Sequence, residues 1–379
     1  MTSTPGRPIA YSPSLEHIED DEAEVNAKLI EQMEKIGDIV REHTGHSYRS
    51  VHAKSHGLLV GRLAVHEALP LELAQGLFAD PGAYDVVMRF STPPGDLLND
   101  GVSLPRAVAF KVLGVDGARV DASSTDRTQD FVMVNGPAFV KKNAKQFLKN
   151  VTLLASTTDK AEGFKKGLST ALRGVEKAIE AVGTKSAAIL SMGGHPETQL
   201  LGETFFTQVP LRHGDYVAKF SLAPVSPELK ALTGQPLDVD GHPDALRESV
   251  IDFFRTHGGT WELRAQLLTD TDKMPIEDGA VEWPEDLSPY VTVATLTVQP
   301  QSAWNEERIR AIDDGLSFNP WHALAAHQPL GNVMRARRVV YDAMSRRRHS
   351  LAGVQHGEPS SLESIGLANG QGAHGNRAV

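Results

Sequence analysis

The 379-residue sequence contains no cysteine. That absence alone rules out disulfides, thiolate ligation of iron, iron–sulfur clusters and cysteine-based zinc sites. The opening MTSTPGRPIAYSPSLEHIEDDEAE has no apolar segment of the kind a secretory leader needs. No apolar run reaches the ~18 residues of a helical membrane span. A cytoplasmic protein with no membrane span is the expectation. Positive charge is also scarce: 38 Lys and Arg against 48 Asp and Glu give a net charge of −10. Phosphate binding needs a basic surface, so a nucleic-acid partner is not expected. The local exception is the strongly basic run from Arg335 to His349.

What is present is ordinary globular material, 40% hydrophobic and 23% charged. The length exceeds the ~250–300 residues at which single cores usually stop growing, although large β-barrels often break that prior. Residues 1–45 read as an arm followed by a surface helix, with Val25, Leu29, Ile30, Met33, Ile36 and Ile39–Val40 at helical spacing. From Ser50 to Val115, short β-branched runs (LLVGRLAV, YDVVMRFS, RAVAFKVL) alternate with Pro, Gly and Asp turns, as strands of an antiparallel sheet or barrel do. Gly136–Ser191 reads mainly as helix, through FVKKNAKQFLKNVTLLAS and GFKKGLSTALRGVEKAIEAV. Strands return around a hairpin at His213–Gly214–Asp215, then at Trp261–Leu268 and Tyr290–Val298. NVMRARRVVYDAMSRRRH has no breaker and reads as a final helix. Residues 351–379, rich in Gly, Ser, His and Asn, are expected to be disordered. The fold class is α+β.

The residues that could carry chemistry are modest one at a time. His52 in RSVHAKSHG, read alone, is more often a surface or capping histidine than a catalytic one. Asn135 in QDFVMVNGPAF opens a Gly–Pro turn, for which an asparagine is an ordinary choice. RFST, Arg89–Thr92, is simply a strand end. Tyr341 lies four residues after Arg337, so the two share a helix face. A guanidinium beside a phenol favours the phenolate that binds Fe(III), yet R-x-x-x-Y is a common accident.

Their order changes the reading. RSVHAK, RFST, LPRAVAFKV, DFVMVNGPAFV and a late R-x-x-x-Y, in that sequence, resemble the haem domain of the catalase superfamily. The match runs in register from about Arg49 to Phe147 and resumes more loosely at Ser317–Pro320 and Arg337–Arg348. The resemblance implies an antiparallel β-barrel with helices packed around it over residues 46–350, and a C-terminal helix carrying the iron ligand. It implies haem b as cofactor. Tyr341 would bind the iron and Arg337 would be its charge partner. His52 would be the distal acid–base residue, with Asn135 as its companion and Ser91 hydrogen-bonded to its ring. Arg49, Arg89 and Arg348 match arginines at the haem propionates. Phe139 and Phe147 resemble residues flanking the macrocycle, although ordinary core positions would look the same. Val51 matches a valine of the catalases, where a related allene oxide synthase domain has a hydroxyl residue.

Typical catalases are longer, so the chain resembles the short, catalase-related bacterial haem peroxidase group. That implies a homodimer or looser assembly and a haem open to organic molecules. Peroxidase turnover, on hydrogen peroxide or organic hydroperoxides with a small organic reductant, is then expected above true catalase activity. Asp342 follows the tyrosine where full-size catalases commonly have proline. Two alternatives remain open: fatty-acid hydroperoxide conversion of the lyase, isomerase or allene oxide synthase kind, and a non-catalytic haem-binding barrel. His195, His213, His257 and His327 lack motif support and are expected to be structural or on the surface.

Overall fold

A computed structural model describes residues 6–158 and 195–367. The helical stretch expected at GFKKGLSTALRGVEKAIEAV lies outside the described residues. The alternating apolar runs form nine strands: β1 (Lys54–Val65), β2 (Ala83–Thr92), β3 (Ala107–Leu113), β4 (Thr128–Val134), β5 (Phe205–Phe206), β6 (Leu211–His213), β7 (Tyr216–Pro224), β8 (Gly259–Leu267) and β9 (Val291–Val298). They pair antiparallel in the order β5-β4-β3-β2-β1-β9-β8-β7, and β5 pairs with β7 to close an eight-stranded barrel. β6 flanks β7 as the other half of the hairpin expected at 213–215.

Strand residues alternate between the two faces of the barrel wall. The inward set (Met88, Phe90, Phe110, Phe131, Phe220, Trp261) is fully buried. Phe110 and Phe131 stack at 4.9 Å between centroids. An eight-stranded barrel is just wide enough for its own side chains, so this interior leaves no room for a large ligand. Two of the unassigned histidines, His213 and His327, sit in this region against Phe78 and Phe220, fully buried. Desolvation pushes His213 down to about 4 and His327 to about 3. Both are neutral core residues, as expected.

The outward set on β2–β4 differs. The register aligns Arg89 with Ala109 and Val132, and Ser91 with Ala107. Two alanines there leave space above the sheet that a larger residue would fill. That space is roofed by helices α1 (Glu22–Thr44) and α4 (Asn332–Ala352), against which α2 (Ala144–Thr157) packs; α3 (Ala245–Thr256) packs elsewhere, along β1. The expected stripe on α1 is the buried one: Val25, Leu29, Met33, Ile36 and Val40 pack against Ala144, Val151 and Ala155 of α2 and Ala336 and Val340 of α4. Gly45, at φ +71°, ends α1 in a left-handed turn that a Cβ would strain.

The basic run of α4 is consumed inside the protein. Arg335 reaches Glu16 (2.8 Å), Glu22 (2.7 Å) and Glu277 (3.0 Å). Arg338 lies over Trp321, Arg346 pairs with Asp342, and Arg347 with Asp38.

The expectation of disorder from residue 351 is corrected for its first part. Leu351 and Ala352 finish α4, and residues 353–367 run back onto the outer face of the barrel. Leu362 and Leu367 bury beside Leu58, Val60 and Leu316. Glu358 pairs with Lys111, which also holds Asp130 at 2.7 Å, and Glu358 accepts from Thr128 (2.9 Å). One buried carboxylate and two leucines suffice to order a polar segment. Glu358→Gln is expected to cost about 1.5–3 kcal/mol, the loss of a charge-assisted bond to a buried lysine. Urea unfolding and limited proteolysis within 353–367 would read it; unchanged stability and unchanged cleavage would refute the anchoring role.

Candidate active site

The space on the outer face of β2–β4 is a cavity of about 150 Å³. Its walls come from the barrel (Arg89, Ser91, Ala107, Ala109, Val132), the segment 47–52, the segment 317–319, and helices α1 and α4. Seven of the residues singled out in the sequence line it together: Arg49, Val51, His52, Arg89, Ser91, Tyr341 and Arg348. Residues 49 to 348 thus converge on one site, although no local pattern joins them.

His52 is held in an unusual way. Its φ is +54°, a left-handed conformation that a non-glycine residue adopts at a cost of about 1–3 kcal/mol. Arg89 pins it there by donating from Nη2 to the His52 carbonyl at 2.8 Å. The Ser91 hydroxyl lies 3.3 Å from His52 Nδ1, which leaves Nε2 for the cavity. The residue is half-buried and lines the cavity. Desolvation, with the charges of Arg89, Arg337 and Arg49, pushes His52 down to about 3. It is a neutral imidazole at ordinary pH.

Arg49, Arg89 and Arg348 form a cradle around Asp313. Asp313 ends a π-helical turn, Ile309–Asp314, an irregularity that is frequent at functional sites. Its Oδ1 accepts from Arg49 Nη1 (2.7 Å) and Arg89 Nε (2.8 Å), and its Oδ2 from Ser55. Arg348 donates to the carbonyls of Asp314 (2.5 Å) and Leu316 (2.7 Å). Burial alone would raise the Asp313 carboxyl, but Arg89 and Arg49 hold it well below the usual carboxylate range. Burial and mutual repulsion lower Arg49, and burial brings Arg348 to about 10. Asp314 turns instead toward His46 at 2.9 Å. Arg49 and Arg89 therefore share the Asp313 carboxylate, Arg348 reaches only backbone carbonyls of the same turn, and with Asp314 also acting on Arg49 and Arg348, guanidinium charge exceeds carboxylate charge in this wall. That surplus suits a flat apolar dianion, and the apolar wall of Val51, Val132, Phe318, Val340 and Met344 suits its body. Haem b, with two propionates, fits this donor set.

Four expected residues stand apart from the cavity wall. Asn135 is engaged by its neighbours: its Oδ1 accepts from the Arg106 backbone at 2.9 Å, and its Nδ2 lies 2.6 Å from His195 Nε2. Both partners come from elsewhere in the chain, Arg106 from just ahead of β3 and His195 from the segment before β5. His195, expected to be structural or on the surface, is buried here. Phe139 and Phe147 pack on each other at 5.0 Å. Arg337, expected to pair with Tyr341, lies over the Phe139 ring at 5.6 Å, with Nη1 3.8 Å from Met334 Sδ. A cation on an aromatic face gains more in a desolvated site than one in water, which explains the choice. Its charge still acts on His52.

Asp313 is the residue that sequence reasoning missed. The acidic pair Asp313–Asp314 ahead of Gly315 was its only trace, and such pairs are common turns.

No family model matches the chain, and no curated protein matches it. Among solved structures, it is similar to a fungal catalase at 15% identity and a TM-score of 0.56, over 81% of this chain and 60% of that one. The likeness to catalase A from Saccharomyces cerevisiae is 15% and 0.56, over 92% and 70%. For a bacterial catalase it is 15% and 0.54, over 92% and 64%. The chain thus spans about three fifths of the length of the fungal catalase. At this identity the likeness establishes the fold: a catalase-like, closed eight-stranded antiparallel barrel with helices around it.

Proposed function

We propose that the chain is a haem-dependent peroxidase that reduces hydrogen peroxide or an organic hydroperoxide with a small organic electron donor. The observation that carries this reading is a single cavity joining a neutral, left-handed His52, a tyrosine and an arginine cradle in which guanidiniums outnumber carboxylates. Tyr341 would supply the iron ligand, and Arg49, Arg89 and Arg348 would hold the propionates. A bound haem would supply the redox chemistry between peroxide and donor.

The residues of the chain account for the proton movements. His52 Nε2, neutral and free of Ser91, can take the proton from the near oxygen of the peroxide. It can return that proton to the far oxygen, which then leaves as water or alcohol when the O–O bond breaks. Ser91 fixes the ring through Nδ1. The overall reaction consumes one peroxide, two electrons from the donor and two protons. With hydrogen peroxide it yields two waters; with a hydroperoxide, one alcohol and one water. Val51 beside His52 offers no hydroxyl, which favours reduction over rearrangement.

The test is one absorption spectrum of protein reconstituted with haem, followed by donor oxidation with peroxide. A ferric spectrum of a tyrosinate-ligated haem and peroxide-dependent turnover are expected. Tyr341→Phe should retain the arginine cradle yet lose that spectral form and at least tenfold of the turnover. Stoichiometric haem binding with an unchanged spectrum in Tyr341→Phe would refute the ligand assignment, and no haem binding at all would refute the reading.

A further inference from the structure

The cavity is a positive well in an acidic protein. Five arginines line it (Arg41, Arg49, Arg89, Arg347 and Arg348), and no Asp or Glu does among the described residues, although the chain carries a net charge of −10. Three of the five form the cradle at Asp313. The other two come from the C-terminal halves of α1 and α4. Arg347 pairs with Asp38. Arg41 has no side-chain partner among the described residues, and it is exposed where it lines the cavity.

The surroundings of Arg41 give this end its character. Leu351, 38% exposed, lines the same mouth. Tyr48 adds an aromatic ring, tilted against His46 at 4.4 Å, and burial followed by the charges of Asp313 and Asp314 raises its phenol, so it remains a neutral donor. A guanidinium with no side-chain partner among the described residues, lining the same cavity as an aliphatic and an aromatic side chain, makes a seat for a molecule with an apolar body and an anionic end. We infer that the electron donor of this site is an organic anion, an aromatic or apolar carboxylate or sulfonate whose charge rests on Arg41. The inference rests on the peroxidase reading and adds the substrate class to it. Like charges in the wall also raise the local concentration of such anions, an effect that salt screens.

The experiment compares an anionic donor (the disulfonate ABTS) with a neutral one (guaiacol) on haem-loaded wild type and Arg41→Gln. In wild type, kcat/KM for the anionic donor should fall with salt more steeply than for the neutral one. In Arg41→Gln, the ratio of anionic to neutral kcat/KM should drop roughly three- to tenfold, the range of a partly exposed charge-assisted contact. An unchanged ratio, or equal salt dependence of the two donors in wild type, overturns the inference. A second arm needs no turnover: equilibrium binding of benzoate against benzamide. Wild type should prefer benzoate, and Arg41→Gln should lose that preference; a preference that survives the substitution counts against Arg41. Protein that binds benzoate through Arg41 but turns over neither donor would sink the peroxidase reading and leave the anion site standing.

Discussion

Haem-free Asp313→Asn protein is expected to be about 3–5 kcal/mol less stable than wild type, the range for breaking a buried ion pair from one side. The substitution keeps the shape of the side chain and removes its charge. Arg49 and Arg89 then lose the carboxylate they share, and with Arg348 beside them the excess of positive charge in this wall grows by one. Urea unfolding of the haem-free protein measures the loss. Haem loading should recover more stability in the variant than in wild type, because two propionates relieve a larger excess of charge. Acid sharpens the test. The Asp313 carboxyl is held below its unfolded value of ~3.9, so its stabilisation is complete above that pH and is lost as the pH falls further. Wild type should show this acid-dependent component and Asp313→Asn should lack it. A haem-free variant as stable as wild type would show that the cradle does not depend on Asp313.

Asp313 also marks where the sequence stopped being legible. The barrel strands were readable because alternation at β2–β4 is local: Met88 and Phe90 point inward, Arg89 and Ser91 outward, and the period needs no knowledge of partners. The helix stripe of α1 was readable for the same reason. His52, Arg89, Ser91, Tyr341 and Arg348 acquired meaning only from their order along the chain, and the structure brings them to one cavity. Asp313 meets Arg49 across 264 positions and Ser55 across 258, on an irregular turn without a periodic signature. No window along the chain contains that pairing. The misjudged tail has a similar cause. Composition measures average polarity, whereas the order of residues 353–367 rests on Glu358 finding a buried lysine and on two leucines finding the barrel. Arg337 and Asn135 are a different case: each side chain has another partner nearby, the Phe139 ring for Arg337 and Arg106 with His195 for Asn135. Spacing fixes which face a side chain can reach and leaves open which of several neighbours it prefers.

His52→Ala is expected to lower peroxide-dependent turnover by roughly 10²–10⁴-fold, the usual worth of a positioned acid–base group. Haem content should not change, since the cradle and Tyr341 are untouched. Alanine is a poor occupant of φ +54°, so His52→Asn, which tolerates the left-handed region, separates lost chemistry from lost backbone geometry. Equal losses in the two variants would assign the effect to the imidazole; recovery in the asparagine variant would assign it to the backbone and remove His52 from the mechanism. The pH profile supplies an independent readout. A base must be deprotonated to act, and His52 is pushed down to about 3, chiefly by desolvation. Turnover should therefore be flat from about pH 5 upward and should fall only as the pH approaches 3. An ordinary histidine, titrating near ~6.5, would already have lost most of its activity at pH 5. An acid limb centred near that value would mean that bound haem readmits water or neutralises Arg49 and Arg89 enough to restore a normal imidazole, and the desolvated, preset base would have to be abandoned.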